Sequence, residues 1–439
     1  MKILLIDLCG AALDWAQQCL EVGHEVRMWC GPRKDGTRCD VGDGIVQRVP
    51  RWEPHMDWAD LIFLTDNAKE IEKLEPYRKK GYPIFGPGVE AAKLELDRDA
   101  GQQAFKKAGI DIMESIEFND YDKAIEYVKK TMKRYVSKPS GDADKALSYV
   151  SKSPADMIFM LQRWKEMGKN KSPFILQEFN PGIEMAVGGW FGPVGWSKWF
   201  CENFEHKKLM AGDNGVNTGE MGTCLKYVEH SKLADEMLLP LTGMLKKMNY
   251  VGYVDVAVII DKEGKPWPLE FTTRPGWPCF IIQTALHLGD PAQWMLDLIE
   301  GKDTLEVLEG EVSTGVVMAI PDFPYGNKKK EEVSGFPIYG VEGFLHTDIH
   351  LCEVKMGKAP IEKDGQIVDG RMFVTAGDYI LVATGTDYSV AGSAKRAYRA
   401  LKKAEVPNSP MWRIDIGKRL EKHLEEIQEH GYADGWSYE

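Results

Sequence analysis

Long apolar runs are missing from this 439-residue chain. No segment approaches the roughly 20 consecutive apolar residues that a helical membrane span requires, so no membrane association is expected. The opening Met1-Lys2-Ile3-Leu4-Leu5-Ile6-Asp7 is too short for the apolar core of a secretory leader and reads as a first strand. Paired cysteines are missing as well. The eight cysteines are scattered from Cys9 to Cys352 without a CxxC spacing, which offers neither a zinc motif nor a disulfide framework and points to a reducing, cytoplasmic setting. An excess of basic residues is also absent: the formal net charge is -12. Phosphate backbones select for basic surfaces, so no nucleic-acid partner is expected, although a local cluster could hold a small phosphate ligand. Repeats and low-complexity tracts are not found.

What is present is the balance of a soluble globular protein, 44% hydrophobic and 28% charged, at a length that predicts about three domains. Apolar, β-branched runs at Lys2 to Leu8, Glu25 to Trp29, Leu61 to Thr65 and Tyr82 to Phe85 alternate with amphipathic stretches at Ala11 to Val22 and Ile71 to Lys80. Such alternation predicts parallel βαβ units. A helix is expected from Asp97 to Ala108, closed by Gly109. From Asp111 a smaller α+β unit follows, with strands at Ile112 to Glu117, Arg134 to Lys138 and Phe174 to Phe179. Helices from Tyr121 and over Ser153 to Met167 complete it. Further strands are expected at Glu184 to Trp190, Tyr250 to Asp261 and Trp267 to Phe271, the last two joined as a hairpin through Asp261-Lys262-Glu263-Gly264. Beyond Val312, strands alternate with Gly/Pro turns before a helix from Ser393 to Lys403 and a charged final helix. The loop Tyr325 to Glu332 reads as solvated surface.

Chemistry concentrates in four places. Pro268-Leu269-Glu270-Phe271-Thr272-Thr273-Arg274-Pro275-Gly276 puts a carboxylate at a strand end and an arginine four residues later, a pairing of hard-metal ligand and fixed cation that suits phosphoryl transfer. On spacing alone, a surface Glu and Arg at a hairpin end is an equal reading. Lys138 lies where a strand gives way to a Gly-containing turn, within reach of nucleotide phosphates or of solvent. Gln177-Glu178-Phe179, followed by Asn180-Pro181-Gly182-Ile183-Glu184, could offer backbone groups to an adenine edge and a carboxylate to a ribose, or could be a buried strand and a turn. Gly212 to Gly222 holds four glycines in eleven positions and reads as a loop close to a ligand or as a long hairpin loop.

Taken together these segments resemble one family, the glycinamide ribonucleotide synthetases (phosphoribosylamine-glycine ligases) of the ATP-grasp superfamily. Gly81-Tyr82-Pro83-Ile84-Phe85-Gly86-Pro87 with Ala91-Ala92-Lys93-Leu94-Glu95 is similar to the family's FGPS…AAQLEGSK segment, and Glu270 to Gly276 to its EFNxRFGDPE. Asp213 to Gly222 resembles GDGDxGPNTGGMG. Gly315 to Ala319 and Trp412 to Gly417 match its C-terminal part. The resemblance implies an α/β multidomain ATP-grasp fold: an N-terminal Rossmann-like (pre-ATP-grasp) domain over 1–110, an α+β lid over 111–183, an ATP-grasp core over 184–310 and a C-terminal β-rich domain over 311–439. It implies ATP and magnesium (or manganese), and small-molecule amine and carboxylate substrates of purine biosynthesis joined through an acyl phosphate, in a monomer or weak homo-oligomer. Arg98, Lys138, Lys145, Glu178, Phe179 and Glu184 would then hold ATP. Glu270, Thr272 and Asp255 would face metal, Arg274 with Glu270 would act in catalysis, and Asp213, Asn217, Thr218, Gly219, Met221 and Gly222 would face substrate.

The departures from the family fall on the acceptor side. Its second metal ligand, an asparagine, is Thr272 here, with Asp255 a possible compensation on the preceding strand. The GNGGREHA phosphate loop is replaced by Asp7-Leu8-Cys9-Gly10-Ala11-Ala12-Leu13-Asp14, and an aspartate opposes an anion there. GGMGAYSP has become Gly219-Glu220-Met221-Gly222-Thr223-Cys224-Leu225, and RFGDPE has become Arg274-Pro275-Gly276-Trp277-Pro278-Cys279. These changes leave open a ligase with another amine and carboxylate pair, or a nucleotide-binding homologue without turnover.

Overall fold

The computed structural model describes residues 1–139, 148–168 and 173–439. Strands β1 (Lys2–Asp7), β2 (Glu25–Cys30), β3 (Gln47–Arg48), β4 (Leu61–Leu64) and β5 (Ile84–Phe85) form a sheet in the order β3-β2-β1-β4-β5, parallel throughout. All four residues of β4 are buried, the continuous apolar run expected of a strand covered on both faces. The covering elements include α1 (Leu13–Glu21), α2 (Ile71–Arg78), α3 (Val89–Leu96) and α4 (Arg98–Lys107). The Asp97 side chain caps α4 by accepting the Ala100 N–H, and this fixes where Arg98 begins the helix.

A four-stranded antiparallel sheet follows, made of β6 (Ser115–Phe118), β7 (Tyr135–Pro139), β8 (Tyr149–Val150) and β9 (Phe174–Glu178). Helices α5 (Tyr121–Thr131) and α6 (Pro154–Glu166) complete the unit. It carries its own core, in which Val128, Met157 and Leu161 are fully buried. The first strand starts three residues later than the sequence pattern predicts, because Ile112 packs against the main core instead of pairing.

The largest element is an antiparallel sheet of eight strands. Its strands include β10 (Gly182–Gly192), β11 (Gly195–Glu205), β14 (Gly222–Val228), β15 (Gly252–Asp261) and β16 (Pro266–Thr272), and between β11 and β14 the hairpin β12 (Lys208–Met210) and β13 (Asn214–Asn217) forms a small sheet of its own. Helices α7 (Lys232–Met237) and α8 (Thr242–Lys247) lie between β14 and β15. After α9 (Cys279–Thr284), the short pair β17 (His287–Leu288) and β18 (Glu306–Val307) and α10 (Gln293–Ile299), the chain returns through β19 (Val312–Ala319), α11 (Lys330–Val333) and β20 (Ile349–Leu351). A two-stranded ribbon of β21 (Val354–Lys363) and β22 (Gln366–Thr375), then β23 (Tyr379–Asp387), α12 (Val390–Leu401) and α13 (Leu420–Gln428), completes it. The sheet order is β16-β15-β10-β11-β14-β19-β23-β20. The boundary expected at 310/311 therefore falls between strands of one sheet. The loop expected over Tyr325 to Glu332 runs into α11, which the Glu332 carboxylate caps by accepting the Lys329 N–H at 3.0 Å.

One core joins the N-terminal sheet to the eight-stranded one. Phe63 meets Phe280, and Phe85 meets both Trp190 and Trp294, each with ring centroids 5.7 Å apart. These fully or nearly buried rings stiffen the junction at which β4 and β5 end. All eight cysteines are free thiols. No helix among the described residues is long and apolar enough to cross a membrane.

Candidate functional site

The expected hairpin forms, and its register decides what shares a face. Asp261 Oδ1 accepts the Glu263 and Lys265 N–H groups and closes the turn between β15 and β16. Asp255 then lies opposite Thr272 and Ala257 opposite Glu270, while β10 sets Gly188 opposite Asp255 and Ala186 opposite Asn203. Directly opposed residues of an antiparallel pair project to the same side, as do residues two apart along one strand. Glu184, Asn203, Glu205, Asp255, Glu270 and Thr272 therefore share one face.

Three cations converge on that face. Glu270 Oε2 stands 3.5 Å from Arg98 Nη2, at the first turn of α4, and its Oε1 is 3.6 Å from Lys207 Nζ. Lys207 also meets Glu184 Oε1 at 3.0 Å and Glu205 Oε2 at 3.2 Å. Lys138 Nζ donates to Gln177 Oε1 at 3.0 Å. Burial opposes the charged form of Glu270, but Lys207, Arg98 and Lys138 outweigh it and hold the carboxyl below its ordinary value. Burial, reinforced by Arg98, brings the Lys138 ammonium down to about 8. Burial works against Lys207 too, yet Glu184, Glu205 and Glu270 raise its pKa well above the usual lysine range.

The remaining expected residues are held in other ways. Arg274 Nη2 lies 3.0 Å from Glu95 Oε1 on α3, and Glu95 Oε2 accepts the Thr273 N–H and Asn67 Nδ2, so the arginine is braced from the N-terminal sheet. Glu178 pairs with Lys133 at 2.7 Å, and the Arg134 guanidinium lies 3.4 Å over the Phe179 ring. Asp213 forms an ion pair of 2.8 Å with the buried Arg413, which ties the glycine-rich loop to the C-terminal segment. Asn217 is exposed on β13 and Gly219 is exposed beyond it. Thr218 donates both its N–H and its hydroxyl to the Lys207 carbonyl. The Met221 side chain is fully buried in the main core, and a Cβ on Gly222 would stand 2.3 Å from the Gly315 carbonyl. Lys145 lies outside the described residues. Thr272 is half-buried opposite Asp255. Asp255 Oδ2 is occupied by Asn203 Nδ2 at 2.9 Å and by the Tyr253 hydroxyl at 3.2 Å. Burial, with Glu205 next, lifts its carboxyl to about 7.

Four residues of this arrangement escaped the sequence reading as site candidates: Lys207, Glu205, Gln177 and Glu95. Nothing local in the sequence marks Lys207 or Glu205, because a long-range strand register brings them to Glu270.

Among the described residues no three carboxylate, histidine or cysteine side chains converge to hold a metal ion. That is compatible with magnesium, which is commonly held by one or two carboxylates together with substrate phosphates. Glu270, ionised, half-exposed and flanked by cations that favour phosphate, fits such a shared ion. At the N-terminal sheet the turn after β1 is closed to an anion. The buried Asp7 accepts the N–H groups of Cys9 at 3.2 Å, Gly10 at 2.9 Å and Ala12 at 2.8 Å, donors that an external phosphate would otherwise meet.

Residues 98–279 match the family described as phosphoribosylglycinamide synthetase, ATP-grasp (A) domain. Over 95% of its length the chain is 26% identical to the phosphoribosylamine–glycine ligase of Vibrio parahaemolyticus, covering 98% of that protein. The same enzyme of Ralstonia nicotianae is also 26% identical, with 95% of this chain and 99% of that protein covered. The chain is thus similar to phosphoribosylglycinamide synthetases, and the family match falls on its ATP-grasp (A) segment. Its fold agrees: the crystal structure of phosphoribosylamine–glycine ligase from Thermotoga maritima superposes with a TM-score of 0.71 at 21% identity, over 95% of this chain and all of that one. N5-carboxyaminoimidazole ribonucleotide synthetase from the same organism gives 0.57 at 14% identity, over 93% and 99%. The sheet face that carries Glu184, Asn203, Glu205, Asp255, Glu270 and Thr272 lies within the matched segment, and α4, which carries Arg98, opens it.

Proposed function

We propose that the chain is an ATP-dependent ligase that joins a carboxylate to an amine, with glycine and phosphoribosylamine as the pair that the names of its relatives carry. The carboxylate accepts the terminal phosphoryl group of ATP to give an acyl phosphate and ADP. The amine nitrogen then attacks the acyl carbon, the C–O bond to phosphate breaks, and the nitrogen gives up one proton, which leaves with the phosphate as the amide is released. The observation that carries this reading is the trio Arg98, Lys138 and Lys207 around one ionised carboxylate, Glu270, on a single sheet face. Two anions must be brought together in the first step, and fixed cations lower the electrostatic cost of doing so.

Each expected residue has a role on this reading. Arg98 and Lys138 bind the triphosphate, as Lys145 would on the family resemblance. Glu178 and Phe179 border the adenine and Glu184 the ribose. A magnesium ion, held by Glu270 with Thr272 and Asp255 nearby, would neutralise phosphate charge. Arg274, braced by Glu95, orients the reacting carboxylate. Asp213, Asn217, Thr218, Gly219, Met221 and Gly222 border the substrates, and residues 111–183 act as a lid that excludes water from the acyl phosphate. The reaction is placed in the cytoplasm.

ADP release that requires both glycine and phosphoribosylamine tests the proposal; absence of binding to magnesium-complexed ATP would refute it. One observation favours a second reading, a ligase of the same chemistry whose amine carries no phosphate: the N–H groups of the β1 turn are already taken by Asp7. ADP release with glycine and phosphate-free amines, and none with phosphoribosylamine, would select it.

A further inference from the structure

Beyond Lys207 the same sheet face leads to a group of acceptors that lack donors. Glu220 is only 5% exposed, and its Oε1 has no hydrogen-bond partner. Asn203 is fully buried; it gives its Nδ2 to Asp255 and leaves its Oδ1 without a partner. The Glu220 carboxyl lies within electrostatic reach of Glu205, Lys207 and Asp255, and Lys207 ties Glu205 to Glu270. These side chains therefore border the same space as the reacting end of the cleft.

A buried acceptor with no donor costs stability, and departures of this kind gather at functional sites. Here two such atoms sit beside two further carboxylates, with one ammonium to balance them. A guest that brings N–H donors satisfies both atoms. A metal ion answers this less well, because among the described residues no three ligating side chains converge. Glu220 is also one of the positions at which the chain departs from the family pattern, on the acceptor side.

We infer that this pocket receives the amino group of the amine substrate, with Glu220 Oε1 and Asn203 Oδ1 as its hydrogen-bond acceptors. The inference rests on the ligase reading. Glu220 sets the position of the nucleophile and stands outside the nucleotide contacts. Burial and then Glu205 raise the Glu220 carboxyl well above its ordinary value.

The test compares two nucleophiles in the full chain with glycine and magnesium-ATP. One is phosphoribosylamine formed in place from ribose 5-phosphate and ammonium; the other is hydroxylamine at saturating concentration, which captures an acyl phosphate without relying on a shaped pocket. Glu220→Ala is expected to raise the KM for phosphoribosylamine at least tenfold, and Glu220→Gln, which keeps one acceptor, by less. Hydroxamate formation and the KM for ATP stay at the native level in both. Thermal melting confirms folding, and the isosteric Glu220→Gln carries the test should the alanine variant fail to fold. An unchanged KM for phosphoribosylamine overturns the inference, as does a parallel loss of hydroxamate formation. Native protein that forms hydroxamate but never uses phosphoribosylamine overturns the assignment of the amine and the pocket with it. Native protein that forms no hydroxamate overturns the ligase reading itself.

Discussion

Replacing Lys207 by methionine removes one ammonium from three carboxylates and so tests whether charge organises the cleft. Its Nζ lies 3.0 Å from Glu184, 3.2 Å from Glu205 and 3.6 Å from Glu270. At an effective dielectric constant of about 20, each contact is a gross attraction of roughly 5 kcal/mol. The lysine side chain is 32% exposed, so water screens much of this and desolvation offsets more. A net loss of about 2 kcal/mol is expected, which corresponds to a fall of roughly 4–8 °C in Tm for a cooperative unit of 150–250 residues. Thermal melts of both proteins read this out. A variant that melts within about 1 °C of native would refute the argument.

Three further outcomes follow from the same charges. Glu270→Gln should lower turnover by at least about 10³-fold, or about 4 kcal/mol of activation free energy, while costing less than about 1 kcal/mol of stability, because the carboxylate is half-exposed at 3.5 and 3.6 Å from its partners; a variant that keeps most of its steady-state ADP release contradicts the role given to it. Lys138, brought to about 8 by burial and Arg98, is charged below that pH and neutral above it. ATP affinity measured by titration should therefore fall by up to about tenfold per pH unit above pH 8, and this fall should vanish in Lys138→Met. On α1 the buried Asp14 pairs with His346 and His350, each at 2.7 Å. Burial disfavours the charged Asp14, yet the histidines hold its carboxyl below the ordinary range, and burial of His346 is outweighed by Asp14, which raises the imidazole. The Asp14 contribution is present above about pH 4 and lost in stronger acid. The His346 contribution is complete below about pH 6.5 and lost as pH rises through the raised value. His346→Gln should accordingly cost about 1 kcal/mol more at about pH 5.5 than at about pH 8.5 in denaturant melts, and equal costs would count against the pair.

How much of this was legible in the sequence depended on where the signal was local. The parallel N-terminal sheet and the hairpin bearing Glu270 were legible because alternation, apolar runs and the Asp-Lys-Glu-Gly turn are short-range patterns. Glu270, Arg98 and Lys138 were legible as one site only through the family resemblance, since no spacing joins residues from three separate elements. Lys207 and Glu205 were hidden because what brings them to Glu270 is the order β16-β15-β10-β11, a long-range pairing. Helix α9 was hidden for another reason: Cys279, Phe280, Ile281, Ile282 and Gln283 are all buried, so no polar stripe marks it as helical. Met221 misled in the opposite sense. It lies inside a segment that resembles a substrate loop, while its own side chain is core.

The groups around Lys207 divide by chemistry: Arg98 and Lys138 are cations, while Glu220, Asn203 and Asp255 offer acceptor oxygens. On the proposed reading the cations would hold the triphosphate and the acceptors the amine, which attacks as the neutral base. Glu220→Lys would remove an acceptor and put an ammonium where the nitrogen is proposed to stand, which opposes its approach without touching the nucleotide. Retained ATP affinity with lost amide formation in that variant is the pattern a divided cleft requires; loss of both would mean that the two charge sets act as one.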